Sequence, residues 1–171
     1  MKSLLVTVVV AAILASVGAG VLEACGAKFL VATRAARFQK MQRAKHPANI
    51  LVYQHSDDPQ VDDAGVAEFA EVLRAMLEKV GHTVTVVPTE DALRSAARTN
   101  DFSVVMMELQ AARRLNSDVR EWSPGAQVLP MGQFLSRSQA ALAKEEFGQV
   151  IRLPAKDSEV LSSVDESNRR N

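Results

Sequence analysis

After residue 48 the chain repeats one pattern five times: a short apolar or β-branched run, then a stretch with hydrophobic residues at helical spacing. Two parallel strands can be joined only by a crossover long enough to hold a helix, and such crossovers are right-handed. An alternation of this kind builds a doubly wound α/β structure, a parallel sheet with helices on both faces. The first run, Ile50-Leu51-Val52-Tyr53, is apolar throughout, as a strand covered on both faces must be. In the helix that follows, Phe69, Val72, Leu73, Met76, Leu77 and Val80 fall three and four residues apart on one face, and Gly81 supplies the stop. Residues 83–87 are β-branched, and Thr89 is placed to cap a helix over 90–99. Further strands are expected over 102–109, 128–131 and 150–153, with helices over 116–122, 136–147 and 157–164. Pro130 has no N–H to give a ladder, so it is expected at a bulge or a strand end.

Ahead of this alternation the sequence changes character. Residues 3–22 carry no charge, and every charge from 28 to 45 is positive: Lys28, Arg34, Arg37, Lys40, Arg43 and Lys45. At about 1.5 Å of rise per residue, twenty apolar residues cross a hydrocarbon layer roughly 30 Å thick. Basic residues beside a span stay on the cytoplasmic side and meet an anionic leaflet there. The expected organisation is a transmembrane anchor over 1–25, a basic juxtamembrane helix and linker over 26–47, an α/β domain over 48–165 and a polar tail over 166–171. The N-terminus is then outside and the domain cytoplasmic, on a single-pass protein of the bacterial inner membrane. Two alternatives stay open. Leu22-Glu23-Ala24-Cys25 approximates a lipoprotein box, with Glu23 where a small residue is usual, and a cleaved signal peptide would require a shorter apolar run and a small-residue site.

Composition narrows the chemistry. Cys25 is the lone cysteine, which rules out an intramolecular disulfide and a thiol-rich metal site. His46, His55 and His82 lack metal-ligand spacing and are expected on the surface or in loops. No glycine-rich phosphate loop follows any strand, and Ser136 and Ser138 lack the Gly-x-Ser-x-Gly elbow of a hydrolase. The basic N-terminal third has few aromatic residues to stack on bases, so anionic lipid head groups are the expected partner there rather than nucleic acid.

The order and punctuation of the segments resemble the receiver domain of bacterial response regulators, a five-stranded flavodoxin-like fold. "ILVYQH" is similar to the first strand, "LRAMLEKVGHTVTVV" to the first helix, turn and second strand, "FSVVMMELQ" to the third strand and "GQVIRLP" to the fifth. The resemblance implies where the family's reacting groups would fall. The acidic pair that holds magnesium falls on Gln54 and His55, and the phospho-accepting aspartate on Glu108. The hydroxyl residue of the fourth strand falls on Gly132, and the lysine of the fifth on Leu153, just before Pro154. Every one of these positions departs from the family pattern. Phosphoryl transfer to a carboxylate needs a bridging divalent cation and a second cation against the developing charge, and these residues supply neither.

The expectation is therefore a non-catalytic, membrane-anchored interaction or structural module without a cofactor, an accessory subunit contacting other membrane or cytoplasmic proteins. The alternative is a phosphorylation-dependent receiver that recruits Asp57 or Asp58 and the nearby Lys156. Candidate contact residues are Trp122, at a turn, and Arg113, Arg114 and Arg137, expected in loops at the same sheet edge as Glu108.

Overall fold

The computed structural model describes residues 44, 46–55 and 63–170. The elements run β1 (Asn49–Tyr53), α1 (Asp63–Val80), β2 (Thr83–Val87), α2 (Glu90–Thr99), β3 (Val104–Glu108), α3 (Leu109–Trp122), β4 (Gln127–Gln133), α4 (Arg137–Phe147), β5 (Ile151–Leu153) and α5 (Asp157–Arg169). All four strand pairs are parallel, and the sheet order is β2-β1-β3-β4-β5. This is the doubly wound five-stranded architecture that the alternation requires.

Alternate residues of each central strand feed two cores. Ile50, Val52, Val104, Met106, Leu129 and Ile151 face α1 and α5, where Leu73, Leu77, Val160 and Val164 close over them. Leu51, Val105, Met107 and Val128 face the other way, against Leu93 of α2 and Leu115, Val119 and Trp122 of α3. Burying each such aliphatic side chain contributes about 1.5–3 kcal/mol, which is why the central strands carry consecutive apolar residues, Ile50 to Val52 in β1 and Val104 to Met107 in β3, rather than alternating.

Local signals set most of the boundaries. Thr89 accepts the Ala92 N–H at 3.2 Å and starts α2. Ser136 and Gln139 form a reciprocal capping box at the start of α4. Gly148 ends that helix at φ +78°, a left-handed conformation that a Cβ would strain.

Five features differ from the sequence expectation. Helix α3 begins at Leu109, directly after β3, and not near Asn116, so Arg113 and Arg114 lie on a helix rather than in a loop. Helix α5 continues past Val164 to Arg169, because Ser167 turns inward and is buried. Pro130 stands inside β4, opposite Met107 of β3; the β5 ladder starts only at Met131, so no β5 partner stands opposite the proline. Val72, at the margin of the α1 stripe, is 45% exposed. His82 is buried, whereas a surface or loop position was expected. Among the described residues no helix is long and apolar enough to cross a membrane. The uncharged run 3–22, Cys25, the basic series from Lys28 to Lys45 and the Asp57-Asp58 pair lie outside the described residues.

Candidate functional site at the carboxyl edge of the sheet

Parallel strands deliver all their carboxyl ends to one edge, and α/β sheets bind ligands there. The register places the family-equivalent positions together. Glu108 stands opposite Met131, Met131 opposite Ile151, Gly132 opposite Arg152, and Gln133 opposite Leu153. On the other side Val52 pairs with Met106, so continuing that ladder by two residues sets Gln54 level with Glu108. Glu108, Gly132 and Leu153 thus lie near the carboxyl ends of their strands, and Gln54 and His55 directly follow the end of β1.

Glu108 at this edge is taken up by the helix that follows it. Glu108 Oε2 accepts the Gln110 N–H at 2.7 Å and the Ala111 N–H at 3.2 Å, capping α3. A carboxylate at a helix N-terminus satisfies two orphan donors and lies at the positive end of the helix dipole. Because no residue separates β3 from α3, the carboxylate that ends the strand is held by the helix that follows it.

The neighbouring positions are apolar. Leu153 is buried in the core that α1 and α5 cover, and it is followed by a cis bond to Pro154. A Cβ built on Gly132 would lie 2.7 Å from Cδ1 of Leu135 and 2.8 Å from its Cγ. Leu135 therefore occupies the space into which a side chain at position 132 would project. The residue before it, Phe134, donates its N–H to the Leu153 carbonyl at 3.1 Å and adopts φ +49°, with 84% of its surface exposed. Leu135 and Phe134 were missed in the sequence, where only the unexplained glycine at a strand end hinted at a close approach.

Gln54 N–H donates to the Val87 carbonyl at 2.8 Å, and the His55 ring tilts against Tyr53 at 5.7 Å between centroids. Lys156 sits exposed at the start of α5, its backbone N–H donating to Glu159. Among the described residues no group of three or more His, Cys, Asp or Glu side chains could hold a metal ion.

The candidate contact residues have other surroundings. Arg113 pairs with Glu146 of α4 at 3.1 Å and Arg114 with Glu90 of α2 at 2.6 Å, so both tie helices of one face together. Trp122 is packed into the core on that face, and the Arg94 guanidinium stands 5.1 Å from its ring centroid. Arg137 is exposed in the first turn of α4.

The fold is similar to two solved structures. One is a response regulator protein from Burkholderia pseudomallei with a phosphorylated aspartic acid, a calcium ion and citrate, at TM-score 0.51 and 22% identity over 71% of this chain and 69% of that one. The other is a response regulator receiver domain protein from Clostridium thermocellum, at TM-score 0.54 and 17% identity over 72% of this chain and 95% of that one. No protein-family model matches the sequence, and no curated protein matches it. The likeness establishes a receiver-like α/β fold.

Proposed function

We propose that this chain is a receiver-like domain that works by binding other proteins and not by accepting phosphate. The observation that carries this reading is the engagement of Glu108: its carboxylate caps α3 through two backbone N–H groups. A carboxylate acting as acceptor must instead present an oxygen to an incoming phosphoryl group while a cation holds the other oxygens. Leu153 offers no cation, and Leu135 covers Gly132, where the family carries a hydroxyl.

The phosphorylated aspartic acid and calcium ion of the Burkholderia pseudomallei structure mark the chemistry that these residues have given up. The uncharged run 3–22 and its basic flank support a membrane-anchored form of the module, cytoplasmic and in contact with anionic head groups through Lys28, Arg34, Arg37, Lys40, Arg43 and Lys45. In that form it serves as an accessory subunit beside other membrane or cytoplasmic proteins.

Incubating the full chain with acetyl phosphate and magnesium and then measuring its intact mass tests the reading. The expected result is an unchanged mass. A base-labile phosphate adduct, mapped to Glu108 or to the Asp57-Asp58 pair, replaces it with a phosphorylation-dependent receiver. Resistance of the chain to carbonate extraction from membranes is expected; full release into the supernatant removes the anchor from the proposal.

A further inference from the structure

At the opposite, amino edge of the sheet, residues 44 and 46–48 lead the chain into the domain, and four hydrogen bonds hold that entry. Ala44 N–H donates to the Val80 carbonyl at 2.8 Å, and Thr83 N–H donates to the Ala48 carbonyl at 2.9 Å. Asn168 Nδ2 of α5 donates to the His46 carbonyl at 3.1 Å. The fourth is the Ala48 N–H, which donates to Nδ1 of His82 at 3.1 Å in a buried setting. The first three partners do not titrate. The fourth is an imidazole with only 5% of its surface exposed.

An Nδ1 that accepts belongs to a neutral ring with its proton on Nε2. A second proton would turn Nδ1 into a donor aimed at another donor, leaving the Ala48 N–H buried and unsatisfied. Asp165 of α5 acts on the same ring through its negative charge, and its Oδ1 is buried without a hydrogen-bond partner. Around the ring, α1 ends in the exposed Glu78 and Lys79, the entry segment contributes the exposed His46, and β1 and β2 contribute no charged residue. Among the described residues Asp165 is the charge whose influence on His82 opposes that of burial. Burial is the stronger of the two and holds the imidazole below its ordinary value of 6.5.

We propose that His82 and Asp165 form a proton-operated latch on the domain's entry, in which neutral His82 holds the Ala48 N–H and the protonated ring lets it go and turns toward the unpartnered Asp165 oxygen. Residues 46–48 then have all their holds in one protonation state and lose that of the Ala48 N–H in the other, while the bonds to Thr83 and Asn168 remain. Neither the carboxyl edge nor Glu108 takes part.

Amide exchange of the full chain, read by NMR as protection factors at about pH 7.5 and about pH 5, tests the latch on either side of the imidazole range. Protection of the Ala48 amide is expected to fall roughly tenfold more at the lower pH than that of Val105 at the sheet centre, which follows global stability; the difference is the equivalent of one buried hydrogen bond. His82→Asn, whose side-chain oxygen accepts without titrating, is expected to hold Ala48 equally at both pH values. Asp165→Asn is expected to move the midpoint of the Ala48 transition to lower pH. Equal Ala48 protection across the titration of His82, or a pH dependence that survives His82→Asn, overturns the latch. Where His82→Asn fails to fold, an unmoved midpoint in Asp165→Asn overturns it instead.

Discussion

The two edges of the sheet are built on opposite principles. At the carboxyl edge, where a receiver places its chemistry, Glu108 has two backbone N–H partners, Leu135 fills the space beside Gly132, and Leu153 is buried in the core. At the amino edge a buried imidazole accepts from the entering chain, and the Asp165 carboxylate, whose Oδ1 is buried without a partner, acts on that ring. Unmet polar demand is expensive inside a protein and tends to persist where it is used. The contrast teaches that fold likeness locates an edge while the side chains decide whether anything can happen there.

Four measurements would break or sharpen that contrast, in decreasing order of expected effect. Leu153→Ala should lower unfolding free energy by about 2–4 kcal/mol in chemical denaturation, as deletion of a buried aliphatic side chain does. A loss near zero would mean that the carboxyl edge is not packed core. Gly132→Val should cost about 1–3 kcal/mol through collision with Leu135, and Leu135→Ala in the same chain should return most of it. Additive losses in the double variant would show that the two positions do not share space.

Glu108→Ala should cost about 1 kcal/mol by uncapping α3, while Glu108→Gln, which keeps an acceptor oxygen, should lose less than half of that. An equal loss in both would assign the effect to charge and not to the cap. The smallest expected effect is on pH dependence. His82 is held below its ordinary value of 6.5, so the unfolded chain binds more protons than the folded one between the two pKa values. Stability therefore falls as pH drops below 6.5 and levels off beneath the folded value, and it is fully present above 6.5. His82→Asn should flatten that slope in thermal unfolding.

Much of the fold was legible because local and global signals agreed. The β-branched run of β2, the Thr89 cap and the Gly148 stop each stand where the sequence placed them. The start of α3 was hidden because a glutamate ending a strand does not read as a helix cap, and because the resemblance implied a loop that the chain lacks. Polar composition concealed the last turn of α5, whose inward residue is Ser167. The register sets Glu108, Gly132 and Leu153 near the carboxyl ends of their strands, but Leu135 was invisible: its contact with Gly132 depends on a loop conformation that no spacing encodes. His82 escaped notice for a similar reason. Its partner Ala48 lies 34 residues away in the chain, and Asp165, whose charge acts on it, lies on α5 at the far end of the chain.

The direct passage from β3 into α3 has a mechanical result. With no slack between Glu108 and Leu109, strand and helix form a single stiff rod bent at one joint, anchored in the sheet at one end and at Trp122 at the other. A displacement of α3 meets no intervening chain before β3, so it must be taken up at the Glu108–Leu109 joint or in the packing of α3 on the sheet.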